Sequence, residues 1–369
     1  PIWPAIISGS LGYLIVVVGM VATGMIGCDL GLASCTCCQA GFGKSGARFI
    51  VSTIFAVNMI GWFGIQNGVC GEAFSNAMLA MTGWDIPVVV SNTIWGIIML
   101  LTAVYGVHAL EKLDKISIPL LMIIMCYGTF LAFKVYGTGN LNDEGTVQSM
   151  SFMSGVALSF NFTAVGTITG PDYTRFQKSR KDTVKSVFYG VFPMGVITLI
   201  MGIVLTKLSG QYDISMVLIE VGLPLLGIIA LVISTWTTNS TNAYSAGLNI
   251  VMALKLKDNR RREATLISGI VGIVLCDLGI LGHVEGVLSL LSYVVCPVDY
   301  WVVGKGKAKN FRPQDGVNWA GVIAWALGAI ISYTLVKIEF VGIIIGFVIY
   351  LIAERFIPSA SRDNAENIA

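Results

Sequence analysis

The chain has 369 residues, of which 55% are hydrophobic and only 12% are charged. A soluble protein carries about twice that charged fraction, so the composition excludes a protein that covers its surface with charge. The net charge of +2 is too small to indicate nucleic-acid binding, and we predict an integral membrane protein.

Apolar runs recur along the whole chain, and a membrane helix needs about 20 mostly apolar residues. We predict about eleven such spans, and therefore an all-α polytopic protein with one transmembrane domain over residues 1–369. The predicted spans are 4–26, 50–79, 86–107, 116–136, 152–170, 184–207, 218–253, 264–281, 284–303, 319–336 and 340–354.

The basic residues are distributed unevenly among the loops. All Lys and Arg except Lys134, Lys207 and Lys337 lie in alternate loops or in the C-terminal tail. The positive-inside rule makes those loops cytoplasmic. This predicts a multi-pass protein of the plasma (inner) membrane with a cytoplasmic C-terminus. An odd number of spans then places Pro1 outside, and the chain does not begin with Met, so we expect one helix to be missing before the first span.

Four cysteines, Cys28, Cys35, Cys37 and Cys38, lie in or beside the first predicted cytoplasmic loop. Neither a His nor a second Cys pair stands near them, as a metal site would require. The cytoplasm is reducing, so we interpret them as free thiols.

A first polar segment, "AVNMIGWFGIQNG" at 56–68, carries Asn58, Trp62 and Gln66 at spacings of four. A flat heteroaromatic ligand would find there a ring to stack on and amides that both donate and accept hydrogen bonds. Alternatively, Trp62 fills space and the amides bind neighbouring helices. The sequence alone leaves both interpretations open.

A second polar segment, "SFNFTAVGTITGPDYTRF" at 159–176, contains three poor helix continuers, Gly166, Gly170 and Pro171. A broken helix is tolerated in a membrane only where it lines a cavity or is buried in protein. We therefore predict a break here, with backbone groups available to a substrate or an ion.

A third segment, "STWTTNSTNAYSAGL" at 234–248, places many hydrogen-bonding side chains inside an apolar run. The Ser234 carbonyl and the hydroxyls of Thr237 and Thr238 would offer three hard oxygen ligands on one patch, which suits a small hard cation. The alternative is that each hydroxyl bonds back to a carbonyl of its own helix.

These segments together resemble the nucleobase–cation symporter-1 (NCS1) family, and most closely its cytosine permease-like branch. The matching residues are "GWFG" at 61–64, "NFTAVGT" at 161–167 with "DYTRF" at 172–176, "WTTN" at 236–239 with "AYSAGL" at 243–248, and "VNWAGVIAWALG" at 317–328.

The resemblance implies the five-plus-five inverted-repeat fold of sodium-coupled transporters with two extra helices. The remainder of the first repeat would then occupy 4–136, the second repeat 152–303 and the accessory helices 319–354. In this alignment the first span of the chain corresponds to the second of the family, which agrees with a missing first helix.

The resemblance also implies roles for individual residues. Trp62 would stack on the substrate ring and Gln66 would bond its edge. Asn161 and Phe162 would contact the substrate at the helix break, and Asn239 is a further substrate-binding candidate.

The same resemblance implies that Ser234, Thr237 and Thr238 form half of a sodium site. The expected function is import of a nucleobase, cytosine or a related purine or pyrimidine, coupled to a cation, with Na+ favoured over H+. The alternatives are an allantoin, hydantoin or thiamine carrier of the same family, or proton coupling.

An intramembrane enzyme is disfavoured by the sequence. The two histidines, His108 and His283, lie at span ends, and no nucleophile–base pair or metal spacing accompanies the polar segments. We predict no catalytic residues, no resident metal or cofactor beyond the coupling ion, and no obligate protein partner.

Overall fold

The computed structural model describes residues 2–142, 150–211, 214–279, 296–311, 313–332, 334 and 338–357. Within these residues all the regular secondary structure is helical, as the apolar runs predict. The helices of the first part of the chain are α1 (Ile2–Leu30), α2 (Ser34–Cys37), α3 (Gln39–Gly46), α4 (Ser52–Thr82), α5 (Val88–Tyr105) and α6 (Val107–Tyr136).

The second part of the chain contains the interrupted helices. They are α7 (Phe152–Thr163), α8 (Gly166–Thr174), α9 (Arg180–Val184), α10 (Gly190–Ser209), α11 (Ile214–Glu220), α12 (Pro224–Ala253), α13 (Arg261–Asp277), α14 (Cys296–Val298), α15 (Trp319–Ile331) and α16 (Glu339–Phe356). Short π-helical turns follow α3, α9 and α14, at Ala47–Val51, Lys185–Tyr189 and Asp299–Val303.

Several helical segments are long and apolar enough to cross a membrane. The six that meet both criteria among the described residues are Ile2–Leu30, Gln39–Thr82, Val88–Tyr105, His108–Tyr136, Phe152–Thr174 and Arg180–Ser209. Helix α12 is 30 residues long, and its polar centre lowers its mean hydropathy. Many large apolar side chains are exposed on these helices, including Ile94, Leu101 and Ile123. Such a surface requires a lipid environment.

The chain forms two compact units, each built from three stretches of sequence. The first unit contains Pro1–Ile6, Phe55–Val147 and Thr198–Leu288, and the second contains Ile7–Ile54, Gln148–Ile197 and Ser289–Ala369. Each unit therefore combines segments from both predicted repeats. The predicted repeat boundaries, 4–136 and 152–303, remain a prediction.

Among its described residues, the first unit shows two apolar cores. One joins α4, α5, α12 and α13 through side chains that include Phe63, Met99 and Ile273. The other joins α6, α10, α11 and the start of α12 around Leu205 and Leu218. The first of these cores places the α4 and α12 polar segments in one compact body.

The predicted span 218–253 is two helices in the structure, because the sequence "VGLP" ends α11 and starts α12. Gly222 adopts a φ of +88°, which favours glycine. The Leu223 amide donates to the Leu218 carbonyl at 2.8 Å, as in a glycine-based helix C-cap. Pro224 then takes the first position of α12, where its missing N–H removes no helical bond.

The predicted break in the 159–176 segment corresponds to a two-residue turn, Ala164–Val165, whose backbone stays in the αR region. Helix α7 ends at Thr163 and α8 begins at Gly166, whereas Gly170 and Pro171 lie inside α8. Pro171 cannot donate to the carbonyl of Thr167, four residues earlier. The Thr23 hydroxyl of α1 donates to that carbonyl instead, at 2.8 Å.

Residues 280–295, which include most of the predicted span 284–303, lie outside the described residues. The two predicted accessory helices correspond to α15 and α16, which pack closely in the second unit. At Gly328 the backbone of Gly342 and Gly346 comes so near that a Cβ would lie 2.9 Å from the Gly342 carbonyl oxygen.

Candidate functional site

The predicted cation ligands lie on one patch of α12. The Thr237 and Thr238 hydroxyls donate to the Ser234 carbonyl at 3.0 and 3.1 Å, so three oxygens meet there. Ser234 and Thr238 are exposed and Thr237 is half-buried. Each hydroxyl bonds within its own helix, as the alternative interpretation expects, yet keeps lone pairs that can accept a cation. The cation-binding role remains a prediction.

The predicted stacking residues lie along α4 in the same unit. Asn58 is buried, whereas Trp62 and Gln66 are half-buried and retain accessible surface. Phe63, the neighbour of Trp62, is completely buried and packs against α13, where a Cβ at Gly272 would lie 2.7 Å from its ring. This packing anchors the turn that carries Trp62.

Asn239 lies in the interior of the first unit, unlike the other predicted substrate residues. Its side chain is 0% exposed. Its amide nitrogen donates to the Phe63 carbonyl at 3.0 Å and contacts the Met99 sulfur at 3.6 Å. Its oxygen accepts from Asn242 at 3.4 Å. Asn239 therefore links α12 to α4 and α5, and its substrate-binding role remains a prediction.

Asn161 and Phe162 belong to the second unit and lie in the last turn of α7, just before the break. Phe162 is 66% exposed and Asn161 is half-buried. The Asn161 amide oxygen is buried and has no hydrogen-bond partner among the described residues. Both residues are thus at the helix interruption, as the resemblance implies, and their contact with a substrate remains a prediction.

A buried carboxylate that the sequence did not reveal lies in the second unit. The Asp299 side chain accepts a hydrogen bond from the Tyr350 hydroxyl, and Asn318 donates to that hydroxyl at 3.3 Å. Only 4% of Asp299 is exposed. The sequence "CPVDYW" contained the signal, because a charged residue at membrane depth is costly and needs a partner.

The cysteines of the first predicted loop are free thiols, and Cys35, Cys37 and Cys38 are buried. No group of three or more His, Cys, Asp or Glu side chains in the described part of the chain could hold a metal ion.

An all-helical chain with several membrane-length helices, an interrupted helix and polar clusters on α4 and α12 has the features of a polytopic membrane transporter. The profile of the family described as "Permease for cytosine/purines, uracil, thiamine, allantoin" matches residues 2–354. The chain belongs to this family of permeases, the NCS1 transporters.

Curated relatives and a solved structure agree with this assignment. The cytosine permease of Escherichia coli (strain K12) is 29% identical over 348 residues, which cover 91% of this chain and 80% of the relative. The allantoin permease of Bacillus subtilis (strain 168) is 24% identical over 418 residues, covering 94% and 82%.

The fold is that of Mhp1, an NCS1 transporter solved in a closed conformation with bromovinylhydantoin bound. The TM-score is 0.79 at 18% identity, over 96% of this chain and 86% of that one. The family and the fold together identify a multi-pass transporter rather than an enzyme.

Proposed function

We propose that this permease is a secondary symporter that imports a nucleobase, cytosine or a related purine or pyrimidine, together with Na+. It acts in the plasma membrane with its C-terminus in the cytoplasm. The observation that carries the proposal is the presence, in one compact unit, of the accessible Trp62 and Gln66 side chains and the three-oxygen patch of α12.

The substrate assignment follows from the chemistry of the two α4 side chains. The Trp62 indole offers a flat apolar face, on which any planar ring can stack. The Gln66 amide can donate to and accept from the edge of a nucleobase. Asn161 and Phe162, at the α7–α8 interruption of the second unit, remain substrate contacts implied by the resemblance. The cytosine permease relative supports a base as the substrate.

Na+ is the coupling ion because the α12 patch offers only uncharged oxygen ligands. One backbone carbonyl and two hydroxyls match the ligand preference of a small hard cation. Their hydrogen bonds hold the three oxygens on one patch, and a bound cation would take the place of the hydroxyl protons at the Ser234 carbonyl. These three oxygens supply part of a coordination shell, and other backbone oxygens would complete it.

Proton coupling is the second candidate, and the burial of Asp299 favours it. A carboxylate inside a membrane protein is a common proton carrier. A carrier of allantoin or hydantoin type is supported by the allantoin permease relative and by the bromovinylhydantoin bound to Mhp1.

The test is uptake by the purified full chain reconstituted in liposomes. Radiolabelled cytosine, uracil, adenine, thiamine and allantoin are supplied under an inward Na+ gradient, an inward proton gradient, or neither. We expect cytosine or another base to accumulate above equilibrium only with the Na+ gradient. Accumulation driven by the proton gradient alone would refute Na+ coupling, and exclusive uptake of allantoin or thiamine would refute the base assignment.

A further inference from the structure

The α12 polar segment ties α12 to two neighbouring helices through the face opposite its three-oxygen patch. The Asn239 amide donates to the Phe63 carbonyl of α4 at 3.0 Å. The Ser240 hydroxyl donates to the Met99 carbonyl of α5, also at 3.0 Å. Asn239 and Ser240 are both 0% exposed, so neither bond competes with water.

The bond from Asn239 acts on the turn of α4 that carries Trp62. The accepting carbonyl belongs to Phe63, the next residue in the chain, and the Phe63 ring is itself clamped in the core. Gly61 and Gly64 flank this pair. Glycine is a weak helix former, by about 1 kcal/mol per residue relative to alanine, so the "GWFG" turn is deformable by its own propensity. The hydrogen bond from Asn239, which comes from another helix, can therefore fix the conformation of this turn.

We propose that Asn239 is a positioning residue for substrate binding: it holds the Phe63 carbonyl so that the Trp62 indole presents its face to a planar ring. This inference rests on the proposed function. It replaces the expectation of direct contact between Asn239 and the substrate, since the amide of Asn239 is occupied by Phe63, Met99 and Asn242.

The experiment is a double-mutant cycle between Asn239 and Trp62 in the full chain purified in detergent. Binding of cytosine and of the other rings of the uptake panel is measured by calorimetry at saturating Na+. The variants are Asn239→Leu, which keeps the branched shape but is larger and cannot hydrogen-bond, and Asn239→Ala, which avoids overpacking. The variant that is monodisperse is used. Each is made alone and combined with Trp62→Ala. Ser240→Ala is the matched control, because it removes an equally buried interhelical bond that does not touch α4.

Loss of the Asn239 bond should weaken binding about 10-fold, corresponding to about 1.4 kcal/mol. The loss should be the same for every ring that stacks on Trp62, and it should vanish when Trp62 is already Ala, because the two residues act as one unit. Ser240→Ala should lower the thermal midpoint by a similar amount as the Asn239 variant, while changing affinity less than about 2-fold.

Three outcomes would overturn the inference. If the Asn239 and Trp62 effects add, Asn239 acts independently, as a direct contact would. If Ser240→Ala weakens binding as much as the Asn239 variant, the loss reflects general destabilisation. If affinity is unchanged in the Asn239 variant while Trp62→Ala weakens binding, Asn239 does not position Trp62, and the proposed function stands alone. Failure of the wild type to bind any ring would instead remove the proposed function, and this inference with it.

Discussion

Thr23 of α1 supplies a hydrogen bond that Pro171 cannot supply to its own helix. Pro171 lacks the N–H that would reach the Thr167 carbonyl, and the Thr23 hydroxyl donates to that carbonyl at 2.8 Å. Thr23 and Thr167 are both buried. An unsatisfied carbonyl at such a buried site would be costly. By donating to the Thr167 carbonyl, Thr23 therefore offsets the cost of Pro171 within α8.

Thr23→Val should therefore lower the stability of the folded protein by about 1–3 kcal/mol, the cost of leaving a buried acceptor unpaired. The measurement is thermal unfolding in detergent. Thr129→Val is the control, since the Thr129 hydroxyl bonds only to the Met125 carbonyl of its own helix. In a Pro171→Ala background the backbone can supply the missing donor, and the effect of Thr23→Val should shrink. Equal losses in both backgrounds would show that the bond does not compensate for the proline.

The loop cysteines should be unreactive in the folded protein. Burial raises the pKa of the Cys35 thiol, and the nearby Cys38 and Asp172 raise it further. Burial likewise raises the pKa of the Cys37 thiol, again with a contribution from Cys38. A raised pKa leaves the thiol neutral at pH 7–8, and the thiolate is the reactive form.

Iodoacetamide labelling, read by mass spectrometry, should therefore be slow at Cys35 and Cys37 at pH 7.5. The same sites should react as ordinary thiols, with a pKa of about 8.5, after unfolding in SDS. Labelling of the native protein as fast as of the SDS-unfolded protein would contradict the burial of this loop.

At the scale of elements, α4, α5 and α13 are joined by a chain of amides. Asn67 of α4 donates to the Asn92 carbonyl of α5 at 3.0 Å, and the Asn92 amide donates to the Asp277 carboxylate of α13 at 3.0 Å. Glycines face these side chains: Gly71 lies against Asn92, and Gly96 against Asn67 and Ile273 of α13. Small residues permit close helix approach, and polar side chains then link the helices.

Gly71→Ala should destabilise the protein by about 1–3 kcal/mol, because the added methyl overpacks the contact between α4 and α5. Its Cβ would lie 1.9 Å from the Asn92 amide oxygen and 2.8 Å from the Asn92 backbone nitrogen, so side-chain rotation alone cannot relieve the clash. Gly202→Ala is the matched control: it lies within α10, and beyond the backbone of its own helix no heavy atom of the described residues stands within 4 Å of its Cβ position. It should be neutral or slightly stabilising. Similar thermal midpoints for the two variants would exclude tight packing at Gly71.

The helices could largely be predicted from the sequence, since apolar runs of membrane length and helix-breaking residues are local signals. The helices α1, α4 and α5 match their predicted spans closely, whereas α6 begins at Val107, nine residues before its predicted span 116–136. The "VGLP" signal was also local, although the interruption it causes was not predicted. The donor that replaces the missing N–H of Pro171 could not be predicted, because the Thr23 hydroxyl lies more than 140 positions from the Thr167 carbonyl that it contacts.

In the candidate site too, features set by local sequence could be predicted, and contacts between helices distant in sequence could not. The clustering of Ser234, Thr237 and Thr238 follows from helix geometry alone, and it is present. The environment of Asn239 depends on which carbonyl of α4 lies opposite it, and no pattern within the segment 234–248 encodes that. The sequence therefore predicts a polar segment on α12 but could not tell which of its side chains are accessible and which are packed between helices.

At the scale of the whole molecule, each compact unit draws on both halves of the chain. The α4 and α12 polar segments lie in the first unit and the α7–α8 interruption in the second. A symporter requires that cation and substrate favour the same conformational state, so that each increases the affinity for the other. The proposed Na+ patch on α12 and the proposed stacking surface on α4 should consequently be linked thermodynamically.

Removal of the Thr237 and Thr238 hydroxyls tests the linkage between Na+ binding and substrate binding. Thr237→Ala and Thr238→Ala each delete one proposed oxygen ligand, so the Na+ concentration for half-maximal effect should rise about 10-fold or more. Substrate affinity should fall at low Na+ and recover at saturating Na+, because the ring contacts on α4 are unchanged. The measurement is calorimetric binding of the transported ring over a range of NaCl, with ionic strength held constant by choline chloride.

Thr241→Ala provides the matched control for these variants. The Thr241 hydroxyl makes the same kind of own-helix bond, to the Thr237 carbonyl at 3.1 Å, but lies one turn beyond the three-oxygen patch. Its removal should leave the Na+ dependence unchanged. If substrate binding by the wild type is indifferent to Na+, the patch is not a coupling site. If Thr237→Ala and Thr238→Ala lose substrate affinity equally at every Na+ concentration, the hydroxyls support the fold and not the ion, and the buried Asp299 becomes the stronger candidate for coupling through protons.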